Sequence, residues 1–157
     1  MASSLLLQTD MVDIQSIKKM ILGSRRFAEE DMAAIKAQMP LTKEFFSCKI
    51  RDYVLHKYLL FTEMELPEDF TALTELSLSR SMKISQELVK QFDLAASCDG
   101  ATSAMAKKVL LFMAIQKELS IQLPAMASAR ITTLQSLADL AWNEMLSSPE
   151  WKNRLEC

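Results

Sequence analysis

Thr102-Ser-Ala-Met-Ala-Lys-Lys-Val-Leu-Leu-Phe-Met-Ala-Ile-Gln-Lys-Glu-Leu119 is the stretch whose reading decides the fold. It holds no glycine or proline, and its apolar centre, Val109 to Ile115, is flanked by polar turns. A run of this length is too long for an ordinary buried strand, so it reads as a helix at the centre of the core. Thr102 and Ser103 supply hydroxyls where its first turn needs a cap.

The chain on either side extends the same reading. Only two glycines, Gly23 and Gly100, and four prolines occur in 157 residues, too few for the turns of a sandwich or an α/β fold. Ala, Leu, Met, Lys, Gln and Glu dominate, and these residues lose little on entering a helix. The fold class is therefore all-α. Upstream, periodicity predicts helices over 10–22, ended by Gly23, over 27–38, ended before Pro40, and over 43–62, capped by Thr42. Short and long helices follow at 68–77 and 79–93, with a loop at 95–101. Downstream, 120–128 is irregular, 132–146 is helical, and a short helix starts at Pro149. The segment Glu63-Met-Glu-Leu-Pro-Glu-Asp69 gathers four carboxylates around a proline and marks the best boundary. It divides an N-terminal helical extension, 1–66, from a C-terminal domain, 67–157.

Composition also excludes partners. A formal charge of −2 lacks the concentrated basic surface that phosphate neutralisation needs, so no nucleic-acid partner is expected. No apolar run approaches the roughly 20 residues of a membrane span, and no membrane partner is expected either. The short apolar start lacks the basic residues of a secretory signal. Three widely spaced cysteines, Cys48, Cys98 and Cys157, suit a reducing compartment, and a cytoplasmic location is expected.

The stretch from Asp99 to Trp142 resembles the acyl and peptidyl carrier family, whose members bind phosphopantetheine. The likeness is carried by Asp99-Gly-Ala-Thr-Ser103 before the apolar helix, Leu119-Ser-Ile-Gln-Leu-Pro124 after it, and Arg130-Ile-Thr-Thr-Leu134 leading to Asp139-Leu140. In the family a Gly-x-Asp-Ser-Leu loop opens the helix, an Ile/Leu-Pro connection follows, and Ile-Thr-Thr starts the last helix. The resemblance implies a carrier-like four-helix bundle behind the N-terminal extension, with 79–93 standing for the first helix. It implies that Ser103 carries a 4'-phosphopantetheine arm and tethers an acyl or aminoacyl intermediate. Its partners would then be a phosphopantetheinyl transferase and the enzymes of a biosynthetic pathway. Leu111, Ile115 and Leu119 would lie beneath a bound acyl chain. A phosphate at Ser103 suits a helix N-terminus, where free N–H groups and the dipole favour an anion.

Thr102 and Ala104 stand where the family has Asp and Leu. Aligning the apolar face instead sets Met105 at the serine position, in a carrier-like fold that is not loaded. Lys107, Lys108 and Lys117 give the helix the opposite sign to the family's acidic docking face. The alternative function is a helical protein-interaction module with a carrier-like fold and no arm.

The remaining residues offer little chemistry. His56 is the only histidine, and with Cys48 two turns earlier it makes a poor metal set; packing or surface is its expected role. Cys98 is expected to be an inert loop thiol, although a reactive one has a place there. The eleven methionines read as core filler. With no phosphate loop and no Ser/His/Asp set, the chain is not expected to be an enzyme.

Overall fold

The computed structural model describes the backbone of residues 2–92 and 103–155 and the side chains of 15–84 and 103–155. Six helices are described: α1 (Ala2–Ala37), α2 (Lys43–Lys57), α3 (Phe70–Phe92), α4 (Ala104–Leu119), α5 (Ala125–Ser128) and α6 (Leu134–Leu146). Among the described residues the only β pairing is an isolated parallel bridge between Leu41 and Leu155, so the all-α class stands. No described helix is long and apolar enough to cross a membrane.

Two expected breaks are absent. Gly23 lies inside α1, which runs on where two helices were expected. A glycine stops a helix when its backbone turns left-handed; inside a helix it only costs about 1 kcal/mol relative to alanine. Ala28, Met32 and Ile35 then recur at helical spacing on the buried face and hold this helix to the core. Likewise 68–77 and 79–93 merge into α3, because nothing between them breaks a helix. Its serine at 77 turns inward instead, and the hydroxyl donates to the Tyr58 carbonyl at 2.8 Å.

One helix stops sooner than its pattern suggests. α2 is capped at its start by Thr42, whose hydroxyl accepts from Phe45 N at 3.2 Å. It ends at Lys57 because Leu59 enters the left-handed region at φ 58. Leu60 N then donates back to Leu55 O at 2.9 Å and Leu59 N to His56 O at 3.2 Å. This double closure satisfies the last carbonyls, and burial of Leu60 offsets the cost of a non-glycine residue there. α4 closes the same way through Ser120 at φ 53, with Ile121 N donating to Gln116 O at 3.1 Å. α6 opens on a capping box, Thr133 and Ser136 each bonding the other's backbone N–H.

The segment after α6 forms turns, where a short helix was expected from Pro149. It works as a clasp. Trp151 is buried and its indole N–H donates to Leu119 O at 2.7 Å, while Leu41 N donates to Arg154 O at 2.8 Å. The Arg154 guanidinium lies 4.8 Å over the Trp151 ring and donates to the Lys36 carbonyl.

One continuous buried cluster joins these elements. Ile35, Phe46, Ile50 and Val54 come from α1 and α2, Phe70 and Leu73 from the start of α3, and Ile115, Leu137 and Trp142 from α4 and α6. It therefore draws side chains from both sides of residues 66 and 67.

Candidate functional site

Ser103 is the N-cap of α4. Its backbone is extended at φ −142 and ψ 157, and its hydroxyl accepts from Ala106 N at 3.1 Å. The residue is exposed, so the oxygen that caps the helix also faces solvent. Met105 lies inside the first turn and is 76% exposed, so it does not occupy the cap. Thr102, Cys98 and Gly100 lie outside the described residues.

The three apolar residues expected beneath a bound chain divide. Ile115 and Leu119 are fully enclosed in the core, whereas Leu111 also borders an open cleft. The lysines divide too. Lys107 Nζ donates to Ser81 Oγ at 2.7 Å and lies 5.6 Å over the Tyr58 ring. Lys108 Nζ lies 5.6 Å from both the Phe70 and Phe112 rings, and Lys117 is exposed. Two of the three thus fold back over aromatic faces, where the ring quadrupole attracts a cation.

The cleft holds about 610 Å³ and lies among α1, α2, α3 and α4. Ile21, Met32, Leu110 and Leu111 give it apolar walls, Tyr53, His56 and Ser81 add polar groups, and Arg25, Glu29, Lys57, Lys107 and Glu118 line it with charge. Its volume falls in the range of small-molecule pockets, while five charged side chains make its lining more polar than is usual for them.

His56 is the most constrained polar side chain there. Its Nδ1 lies 2.6 Å from Asp31 Oδ2, and both residues are about as buried as core side chains, at 6% exposure each. The ring is stacked between Phe27 and Phe61, with centroids 5.4 Å and 4.0 Å away. Burial raises the Asp31 carboxyl above its usual range, against the opposing hydrogen bond and charge of His56. The contact ties the imidazole of α2 to the carboxyl group of α1. Among the described residues Nε2 has no hydrogen-bond partner, yet no buried side-chain nitrogen or oxygen is left unpaired.

Both tyrosines near the cleft are held protonated. Burial pushes Tyr53 up to about 12, helped by the nearby Glu118 charge. Tyr58 is also pushed up to about 12 by burial, and its hydroxyl pairs with Thr74 Oγ1 at 3.0 Å.

The sequence offered His56 as packing or surface; it is packed, but with a buried carboxylate from another helix. Cys48 is exposed and free while His56 is buried, so the structure does not bring them together as a site. No group of three or more potential metal ligands occurs among the described residues. The Asp31–His56 pair joins residues 25 positions apart, and no local motif signals it. The only clue is the placing of Phe27 and Asp31 one turn apart on α1, a face both aromatic and acidic. Comparison of the chain with known protein families, curated proteins and solved structures finds no match.

Proposed function

We propose that the chain is a carrier protein of the cytoplasm, not itself an enzyme, with Ser103 as the attachment point of a 4'-phosphopantetheine arm. The observation that carries this reading is the exposed Ser103 hydroxyl at the mouth of a sixteen-residue helix. The order that follows supports it: a long α4, a short α5 and a capped α6, each starting where the carrier-like motifs stand. On this reading α3 to α6 form the carrier-like bundle and α1 and α2 the extension.

The residues present suit such a group. Ser103 Oγ is open to a transferase, and the N–H groups of the first turn of α4, Ala106 among them, point toward a phosphate attached there. When bound, the arm supplies a thiol that holds an acyl or aminoacyl group as a thioester. The chain's own part is to present that arm to successive biosynthetic enzymes. Co-expression with a phosphopantetheinyl transferase followed by intact mass measurement tests the reading. A mass gain that is lost in Ser103→Ala supports it; an unchanged mass with several transferases rejects it.

A second reading is supported by a different observation. Met105, Val109 and Met113 stand at four-residue spacing on α4 and are 76%, 49% and 56% exposed. An apolar stripe of this kind suits an unmodified helical module that docks another protein. It is favoured if no mass gain is seen while the chain remains folded.

A further inference from the structure

Of the charged side chains that line the cleft, three are already engaged. Glu118 Oε2 accepts from Lys36 Nζ at 2.9 Å, Lys107 is bonded to Ser81, and Arg25 is also held. Glu29 and Lys57 remain. Neither has an ion pair among the described residues, and they do not reach each other. Glu29 stands two residues before Asp31 on α1, and Lys57 follows His56 at the end of α2. The Asp31–His56 contact therefore sets these opposite charges at one level, and both are exposed where the cleft opens. Tyr53 adds a third unmet group. It lines the cleft at 4% exposure, and its hydroxyl has no hydrogen-bond partner among the described residues.

We propose that the cleft binds a free amino acid with a large apolar side chain, its ammonium on Glu29 and its carboxylate on Lys57. An anion would be drawn to Lys57 and repelled by Glu29, and a cation the reverse. Only a molecule that carries both signs a few ångströms apart satisfies the two together. Its side chain leaves water against Met32, Leu110 and Leu111, and a volume of about 610 Å³ gives a large one room. The Tyr53 hydroxyl offers the ligand a further hydrogen bond. This binding needs no arm at Ser103, so it goes beyond the carrier reading and does not depend on it.

His56 lines the same cleft and is the chain's only histidine, so its ring resonances report occupancy without ambiguity. The test titrates the full chain with phenylalanine, N-acetylphenylalanine and phenylalaninamide. The two derivatives keep the side chain and remove the ammonium or the carboxylate charge in turn. Phenylalanine is expected to move the His56 resonances with a Kd about fivefold below that of either derivative, the scale of one partly exposed charge pair. Glu29→Gln should bring phenylalanine to the level of the acetyl derivative, and Lys57→Gln to the level of the amide. Both positions are exposed, so these variants leave the core as it is. Equal Kd values for the three ligands overturn the zwitterion, and tighter binding of either derivative overturns it in favour of a ligand of one charge. Phenylalanine binding unchanged in both variants overturns the two anchors. Unmoved His56 resonances with phenylalanine on the order of 10 mM overturn the cleft as the site.

Discussion

Asp31 Oδ2 and His56 Nδ1 meet at 2.6 Å in the interior and join α1 to α2 by a buried polar contact. Each side chain has left water, and each answers the other's hydrogen-bonding need. Breaking such a pair by removing one member leaves the other unsatisfied. Asp31→Ala is therefore expected to destabilise the fold by ~3 kcal/mol, because it leaves a buried imidazole N–H group without its hydrogen-bond partner. Urea unfolding measures this, and a loss below ~1 kcal/mol, the scale of exposed pairs, would deny the contact any structural weight.

The same carboxyl gives a pH dependence with a definite sign. Its folded value is raised above 3.8 by burial, so the folded chain keeps the proton longer than the unfolded one. Stability from this group falls as pH rises from 3.8 through the raised value. Asp31→Asn lacks that titration, so wild-type stability relative to the Asn variant should decrease across the window. Unfolding curves collected at acid and near-neutral pH check it; a difference that grows with pH would reverse the sign.

The two tyrosines, Tyr53 and Tyr58, are the chain's full complement, and both are pushed up to about 12. Phenolate absorbance should therefore be almost absent from the folded protein at pH 10, and half developed in the urea-unfolded chain at ~pH 10, the ordinary tyrosine value. Because the unfolded phenols release protons first, stability should fall between pH 10 and about 12. A folded protein with half its phenolate signal at pH 10 would contradict the burial of both rings.

Ser103 separates capping from loading. Ser103→Ala should cost ~1 kcal/mol through loss of the N-cap, whatever the function. Ser103→Asp restores a capping oxygen and should recover most of that stability without accepting an arm. Thermal unfolding with intact mass on the two variants checks both statements. Loading of either variant would move the attachment point elsewhere.

Gly23 is the simplest case. It lies inside α1, and a Cβ built there meets nothing within 4 Å. Gly23→Ala is expected to raise stability by ~1 kcal/mol, through better helix propensity and a less flexible unfolded chain. A loss of stability in chemical denaturation would show that the helix is interrupted there after all.

The all-α class was legible because glycine and proline are so scarce, and the caps at Thr42 and Ser103 were readable because they depend on neighbours a few residues away. Helix ends were less so. Gly23 reads as a stop only if its backbone turns left-handed, and packing of Ala28 and Met32 keeps it helical. Leu59 gives no such warning, yet it turns left-handed so that Leu60 can be buried. The cleft was illegible for a related reason. Phe27, Asp31, His56 and Lys107 are brought to one region by three helices, and no spacing within any one of them records it. Ser103 was visible as a cap, while its exposure depends on what the rest of the chain leaves uncovered.

The C-terminal clasp has a consequence for biosynthesis. Leu41 finds its bridging partner in Leu155, and the backbone of Lys36 meets the side chain of Arg154. A nascent chain emerging from the ribosome exposes the end of α1 long before Arg154 and Leu155 are made. Until translation has passed the final tryptophan, α1 and α2 can pack on each other but lack the segment that fastens their connection.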